Sequence, residues 1–400
     1  MSATASALLS AQAVRSHCAQ IMALAEQDRA PHFRWHPEKL PEAAAYVADT
    51  IRQRYPDLQV PYHSRWRHFE AGGVDRWGML ARKHGLEGAE RARIRIDLVI
   101  PSVLLDAGAG PDWRYDDHAT GMQLSRSEGL GVASLALFAG GALSDDAAQP
   151  LRADAAALAR LPESVLAHAF QAGPGNPLVG LEGRARLMQR LGAAMAAAPD
   201  VFGTPARLGN LYDTLAAHAD NRRIEAGAVL RVLLRALGPV WPGRITLDGV
   251  SLGDCWRHPG TDDGLAPFHK LTQWLTYSLL EPLEEGGLTV TGLDQLTGLP
   301  EYRNGGLLLD LGVIAPRDPS FLERLLEVDE PAVVEWRALT VIALDRLAEA
   351  VRTELGVDAS AFPLARVLEG GTWAAGRRIA AERRPGGAPP VSIASDGTVF

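Results

Sequence analysis

Chemically reactive side chains are concentrated in two neighbouring stretches, PFHKLTQWLTYSLLEPL (267–283) and LTGLPEYRNGGLLLDLGVI (296–314). The first places Lys270 and Gln273 three residues apart, so an ammonium and an amide are expected on one face of a helix. The second carries a carboxylate, a phenol, a guanidinium and an amide in succession at 301–304. Charges of both signs near a helix start, where backbone N–H groups favour an anion, are suited to line a ligand pocket.

A second interpretation of these stretches remains open on residue types alone. Charged residues are common in turns, and a packed helical pair would leave them solvated or paired with each other. The residues that the pocket interpretation singles out are Lys270, Gln273, Glu301, Tyr302, Arg303 and Asn304.

The elements that position these side chains are two helices. Apolar residues of the first stretch recur at three- and four-residue steps, which predicts a helix with one buried side. Pro282 is expected to end that helix. Gly305 and Gly306 are expected to open the second helix after a tight polar turn.

An earlier stretch, VPYHSRWRHFEAGGVDRW (60–77), combines cationic and aromatic residues before a Gly-Gly turn. Guanidinium groups bind phosphate or carboxylate, and aromatic faces take planar rings, so Arg65 and His68 are candidate ligand contacts. The alternative is an aromatic corner packed by arginine stems.

The segment LLDAGAG (104–110) contains the end of an apolar run and the glycine-rich turn that follows it. The turn matches the one after the first strand of S-adenosylmethionine-dependent methyltransferases, but that function requires a helix directly after the glycines and βαβ alternation downstream. The segment PDWRY (111–115) is a poor helix start, so the methyltransferase is kept only as an alternative. The polar and aromatic residues around this turn that are candidate site residues are Asp106, Asp112, Trp113, Arg114, Arg126 and Glu128.

Composition limits the classes of function. The 400 residues are 47% hydrophobic and carry a formal net charge of -8 with scattered basic residues, which argues for a globular protein and against a nucleic-acid surface. Two cysteines provide no disulfide framework and no zinc spacing, and no histidine pair has metal spacing, so we expect a reducing cytoplasm and no metal site. Neither a signal peptide nor an apolar run of about 18 residues is present, so no membrane association is expected.

The remaining pattern predicts a mainly α fold, an α-rich α+β protein with small β-hairpin elements. Ala/Leu-rich helical segments dominate, and the best hairpin candidate turns at Asp248-Gly249. We expect an N-terminal region over residues 1–140 and a helical region over residues 141–400, packed as one compact unit.

Nine motifs, in order along nearly the whole chain, carry a resemblance to a family of uracil-catabolism proteins of fungi and bacteria defined by an uncharacterised domain. The motifs are VPYHSRWRHF, LVIPSVLLDAGAGPDWRY, LSRSEGL, NPLVGLEGR, WPGR, FHKLTQWLTYSLLEPL, LTGLPEYRNGGL, LEGGTWAAGRRIA and SDGTVF. The resemblance implies a role in a uracil degradation route through a ribosylated intermediate, thought to be ribosylurea.

The block FHKLTQWL, followed by LTGLPEYRNGGLLLDLGVI, is also similar to a block of the queuosine-salvage nucleosidases. Their helical fold resembles DNA glycosylases, and they hydrolyse an N-ribosyl bond. Lys270 matches their motif lysine, Tyr302 matches their tyrosine, and Glu301 stands where they have an aspartate. The longer arm of Glu301 changes the placement of the carboxylate but not its charge.

These resemblances imply a metal-independent, cofactor-free N-ribosyl hydrolase with a helical, glycosylase-like core. Glu301 is the first choice for the catalytic carboxylate and Asp106 the second, with Lys270 as a third catalytic residue. The residues implied to bind a 5′-phosphate or to donate to the leaving group are Lys270, Arg303, Arg65 and His68, and those implied to frame the planar urea or base are Trp113, Trp274 and Tyr302.

The expected partner is a small riboside or nucleotide-like substrate, bound by a monomer or homodimer. The alternatives are a non-catalytic protein that binds a nucleotide intermediate and the methyltransferase named above.

Overall fold

The computed structural model of the chain describes residues 3–241 and 244–394. The motif SDGTVF and the central Pro-Gly of WPGR lie outside the described residues. Helices dominate and the strands are at most three residues long, so the predicted mainly α class is confirmed. No helix within the described ranges combines the length and the apolar character that a membrane span requires.

The chain divides into two units, each assembled from separated segments. The first unit comprises Met1–His63, Gly243–Gln273 and Gly292–Phe400, and the second comprises Ser64–Pro242 and Trp274–Thr291. The predicted boundary at residue 140 does not coincide with any of these transitions. The helix Arg126–Ala139, before that residue, packs against Glu163–Ala169, after it, in the second unit, so the chain does not change unit there.

In the first unit, the long helix Pro331–Leu355 packs against two N-terminal helices, Ala11–Glu26 and Leu40–Arg54. Ser10 caps the helix Ala11–Glu26 by accepting a hydrogen bond from the Ala13 N–H. The other α-helices of this unit are Ala3–Leu8, Tyr302–Asp310, Leu364–Arg366 and Trp373–Arg383.

In the second unit, Leu181–Ala196 packs against Ala155–Ala159, and Gly88–Leu104 packs against Arg126–Ala139. The other α-helices here are Trp66–Phe69, Arg76–Lys83, Glu163–Ala169, Pro199–Phe202, Leu211–His218 and Ala226–Leu237. The helix Lys270–Glu285, called the lysine helix below, contributes residues up to Gln273 to the first unit and residues from Trp274 to the second.

The strands form separate two-stranded pairs. In the first unit, the antiparallel pairs are Phe33–Trp35 with Ile314–Pro316, Thr246–Leu247 with Val250–Ser251, and Cys255–Arg257 with Leu265–Pro267, and the parallel pair is Leu325–Glu327 with Ser392–Ala394. In the second unit, Tyr115–Asp117 pairs antiparallel with Met122–Leu124, and Arg223–Glu225 pairs parallel with Thr289–Thr291.

The predicted hairpin at Asp248-Gly249 is confirmed. Both residues have positive φ angles, 51° and 78°, which is the backbone of the two-residue turn that matches strand twist.

The prediction that Pro282 ends the lysine helix is wrong, because the helix continues to Glu285. Proline has no N–H and therefore leaves the carbonyl four residues earlier, that of Ser278, without its helical donor. The Trp66 indole Nε1–H donates to this carbonyl over 2.8 Å. A tertiary hydrogen bond thus replaces the one that the proline removes.

We expect Trp66→Phe to destabilise the second unit more in the native background than in a Pro282→Ala background. Alanine restores an N–H that donates to the Ser278 carbonyl, so the indole is no longer that carbonyl's main donor. The difference between the two costs should be about 1 kcal/mol, since a buried acceptor left without a donor costs about 1–3 kcal/mol. Urea unfolding of the four proteins measures it, and equal costs in the two backgrounds would contradict this account.

Candidate functional site

Glu301 caps the helix Tyr302–Asp310, called the glutamate helix below. Its carboxylate oxygens accept hydrogen bonds from the backbone N–H groups of Arg303 at 2.7 Å and Asn304 at 2.6 Å. These are two of the donors that every helix start leaves unpaired, and the helix dipole favours a negative charge there. The sequence indicated a helix start that favours an anion, and in the structure the protein's own carboxylate occupies it. The helix also begins at Tyr302, three residues before the expected glycine opening.

The electrostatic setting of Glu301 combines opposing effects. Burial raises the pKa of its carboxyl above the ordinary 4.5, while the two backbone hydrogen bonds and then the Lys270 ammonium act to lower it. Lys270 and Glu301 belong to the same unit, and the charge of the lysine acts on the carboxyl. The carboxyl is therefore oriented by hydrogen bonds, partly desolvated and influenced by a cation.

The start of the lysine helix is held by Asp254. The Lys270 backbone N–H donates to Asp254 Oδ2 over 3.0 Å, and the Asp254 main-chain carbonyl accepts from the N–H groups of Phe268 at 2.9 Å and His269 at 3.2 Å. His269 has a left-handed φ of 49°, and its Nε2 bonds to the Leu8 carbonyl over 2.9 Å. A non-glycine residue keeps such a backbone only where its surroundings enforce it.

Gln273 links the lysine helix to the loop that precedes Glu301. Its Oε1 accepts from the Thr297 N–H over 2.9 Å, and its Nε2 donates to Thr297 Oγ1 over 2.7 Å and to the Phe268 carbonyl over 3.0 Å. The side chain is fully buried. A substrate contact was predicted for Gln273, but its amide is engaged with protein atoms, and this geometry favours a role in holding the loop.

Asn304 has a comparable internal role. Its Nδ2 donates to the Leu299 carbonyl over 3.0 Å, and its Oδ1 accepts from Thr372 Oγ1 over 2.8 Å. Thr372 ends a π-helical segment, Val367–Thr372, a distortion that often marks functional regions.

Arg303 and Tyr302 lie in the first turn of the glutamate helix. The Arg303 guanidinium is buried, donates to the Gly387 carbonyl over 3.0 Å and lies 5.1 Å from the centre of the Tyr302 ring. Tyr302 is partly exposed. Their predicted contacts with a phosphate and a planar group stay predictions.

A buried ion pair that the sequence did not single out joins this region to the long helix. Arg337 donates from Nη1 and Nη2 to the two carboxylate oxygens of Asp254, at 2.8 and 2.9 Å. Although burial acts to raise it, the pKa of the Asp254 carboxyl is held well below its usual range, mainly by the Arg337 guanidinium. The signal was present in the sequence, since an arginine interrupts the apolar run PAVVEWRALTVIAL (331–344) of a helix that is otherwise core.

The second unit contains another group of the predicted residues, centred on Arg65. This arginine is fully buried, and its Nη1 lies 2.9 Å from Asp106 Oδ1 while its Nε donates to Ser102 Oγ over 2.8 Å. Burial lowers the pKa of Arg65, and the charges of Asp106 and then Glu128 oppose that effect. The guanidinium also lies 5.9 Å from the Trp274 ring centre. Asp106 is thus the counter-ion of a buried arginine, and its catalytic role stays a prediction.

The other predicted residues of this unit differ in how far they are buried. His68 meets the Trp274 ring edge-on at 5.9 Å. Trp113 has no exposed surface, and its indole donates to the Phe170 carbonyl over 2.9 Å, which favours a packing role. Three further residues are exposed, namely Asp112, Arg114 and Arg126.

The structure also removes the basis of the methyltransferase alternative. The residues before the glycine turn form the helix Gly88–Leu104, whereas that function requires a strand at this point. The turn LLDAGAG therefore follows a helix, and its likeness to a cofactor-binding loop is limited to residue types.

Comparison with known proteins identifies the family. A family model described as "Protein of unknown function (DUF1688)" matches residues 7–400. The chain belongs to this family. It is 39% identical over 406 residues to "Protein urg3" of Schizosaccharomyces pombe, covering 99% of each chain. It is 37% identical over 431 residues to "Uracil catabolism protein 4" of Lachancea kluyveri, covering 98% of each chain.

These relatives confirm the family that the nine motifs indicated, and they match this chain over almost its full length and theirs. The resemblance of the Lys270 and Glu301 block to the queuosine-salvage nucleosidases stays a prediction.

We expect His269 to make the unfolding free energy fall as the pH falls. Burial lowers the pKa of His269 below 6.5 in the folded state, so on acidification the unfolded chain binds a proton that the folded chain does not. Between about pH 7.5 and 5.5 this group alone should remove about 1 kcal/mol. The native protein should therefore lose more stability over this range than His269→Asn, in which asparagine tolerates the positive φ.

Urea unfolding at several pH values measures the difference between the two proteins. His118→Asn, a change at an exposed histidine, is the control and should follow the native pH dependence. Parallel curves for the native protein and His269→Asn would contradict the assignment of a neutral buried imidazole.

Proposed function

We propose that this protein acts in uracil catabolism as a metal-independent hydrolase of an N-ribosyl bond. The proposed substrate is ribosylurea or a related riboside, with or without a 5′-phosphate. A relative named "Uracil catabolism protein 4" aligns with almost the whole chain and supports the pathway. The resemblance to nucleosidases at Lys270, Glu301 and Tyr302 supports the reaction.

The observation that carries this proposal is the fixed carboxylate of Glu301. Cleavage of an N-ribosyl bond builds positive charge on the sugar, and a carboxylate beside the anomeric carbon stabilises that charge or activates water. Two backbone hydrogen bonds hold the Glu301 carboxylate in one orientation. A group oriented before the reaction begins loses little free energy to reorganisation in the transition state.

In the proposed reaction, two side chains account for every proton that is transferred. The C1′–N bond breaks as the oxygen of a water molecule bonds to C1′, Glu301 accepts the water proton, and Lys270 donates a proton to the leaving nitrogen. Urea and the free sugar are the products, and proton transfer from Glu301 to Lys270 restores both groups. Arg303 is proposed to bind the phosphate of a phosphorylated substrate, and Tyr302 to contact the planar urea.

We expect Glu301→Gln to lower kcat on the true substrate by about a hundredfold or more, because the neutral amide neither accepts the water proton nor stabilises a sugar cation. Mass-spectrometric assay of a panel of ribosides, with the native protein and the variant, measures this loss. Asp75→Asn is the matched control, because Asp75 also caps a helix, by accepting from the Gly78 N–H over 2.7 Å, but lies in the other unit.

Asp75→Asn should leave kcat unchanged. If Glu301→Gln lowers only the thermal midpoint and leaves kcat intact, Glu301 is a capping residue and the proposed chemistry is wrong. If the native protein binds ribosylurea or its phosphate without releasing urea, the protein is a binding protein for the intermediate.

The acidic limb of the pH profile of kcat/KM should report ionisation of Glu301. Activity requires the carboxylate, so kcat/KM should rise with pH through a pKa above 4.5, because burial raises the pKa of this carboxyl. Lys270 acts to lower that pKa, so the limb measured on the residual activity of Lys270→Met should move to higher pH. A limb that stays in place would contradict the coupling of the two residues.

A further inference from the structure

Arg337 contacts both of the segments that carry the proposed catalytic pair. Its side chain is buried, with 1% of its surface exposed, in the second turn of the long helix Pro331–Leu355. It lies in the same unit as Lys270 and Glu301.

Toward the lysine helix, Arg337 acts through Asp254. The guanidinium fork holds both oxygens of the Asp254 carboxylate, and Oδ2 of that carboxylate accepts the Lys270 backbone N–H over 3.0 Å. The Trp256 indole donates to Oδ1 over 2.6 Å, so the carboxylate is anchored from a further side. The arginine also lies 4.1 Å from the ring centre of Phe268, two residues before the lysine.

Toward Glu301, Arg337 acts through the main chain. Its Nε donates to the Pro300 carbonyl over 3.4 Å, and this carbonyl belongs to the peptide bond that leads into Glu301. Proline fixes its own φ, so a contact to its carbonyl restrains the direction in which the chain enters the glutamate helix. One planar guanidinium therefore restrains the start of the lysine helix and the approach to the carboxylate.

A buried ion pair of this kind is poorly explained by stability alone. Removing two charges from water costs free energy that their attraction only partly returns, and apolar residues of similar volume often replace such pairs without loss of stability. The planar guanidinium group instead fixes the orientation of its partners, since its N–H donors point in fixed directions.

We propose that Arg337 and Asp254 are positioning residues that set the placement of Lys270 relative to Glu301. This inference rests on the proposed function, in which the ammonium and the carboxylate act on one substrate. It assigns the pair no contact with the substrate.

The test is a double-mutant cycle with a readout that does not require the substrate. The sequence contains three lysines, and Lys39 and Lys83 are exposed. Limited acetylation with acetic anhydride, followed by peptide mass spectrometry, gives the rate at Lys270 relative to these two internal references. The charges of Lys270 and Glu301 act on each other, and loss of the carboxylate destabilises the ammonium, so Glu301→Gln should raise the relative rate at Lys270 by about fivefold.

The cycle repeats the Glu301→Gln change in a background that lacks the ion pair, Asp254→Asn with Arg337→Met. These substitutions approximately conserve volume and leave no buried charge unpaired. If the pair positions the lysine, the effect of Glu301→Gln on acetylation should fall to less than twofold in this background. On an active substrate, the same background should lower kcat at least tenfold with little change in KM.

Arg337→Lys is the second variant, and it decides the test if the double variant does not fold. It keeps the charge but loses the bidentate fork and the Nε donor, so the effect of Glu301→Gln should again shrink. The matched control is Asp97→Asn with Arg207→Met, which removes another buried pair, with a 2.7 Å contact, from the second unit. This control should retain the full effect at Lys270.

Two results would overturn the proposal. One is an undiminished effect of Glu301→Gln in the variants of the pair, and the other is no effect of Glu301→Gln on Lys270 in the native background. The proposed function has a separate test, and it fails if the native protein hydrolyses none of the ribosides. In that case the acetylation cycle still reports whether the pair positions the lysine.

Discussion

The hydrogen bonds between the Glu301 carboxylate and its helix are the constraint on which the candidate site depends. A helix start exposes N–H groups that need acceptors, and here a single side chain satisfies those of Arg303 and Asn304. The carboxylate therefore cannot turn away without leaving two donors unpaired, which costs stability. The same bonds that hold the helix start give a reactive group a fixed direction, so the local fold and the proposed chemistry use one interaction.

The cost of burying charge determines which groups contact the buried arginines of the candidate regions. A charge removed from water needs a partner, and two buried arginines of the candidate regions, Arg337 and Arg65, each have a carboxylate against them, Asp254 and Asp106 respectively. Because a guanidinium has donors beyond those that its counter-ion uses, it also reaches a carbonyl or a hydroxyl nearby. Through these additional contacts, each guanidinium restrains the position of a neighbouring segment. They connect the core of each unit to the candidate site residues.

Periodicity and residue type predicted the lysine helix, the hairpin at Asp248-Gly249 and a helix shortly after Glu301, because these depend on residues close in sequence. Pro282 shows where local rules fail. The rule that proline ends a helix assumes that the freed carbonyl finds no other donor, and Trp66, more than 200 residues earlier in the chain, supplies one. Polar residue type suggested substrate contacts for Gln273 and Asn304, which stay predictions, and only the structure shows that their amides also bond to the protein.

The sequence by itself determined the family, the mainly α class and the presence of a carboxylate close to the start of a helix, since each follows from local pattern or from motifs in order. Only the tertiary structure decided that the carboxylate occupies its own helix start, that Arg337 joins the two segments, and that Asp106 neutralises a buried arginine. Those outcomes depend on which distant groups meet when apolar surface is buried. That packing selects the partner of each buried polar atom, so the spacing of residues in the sequence does not predict the partner.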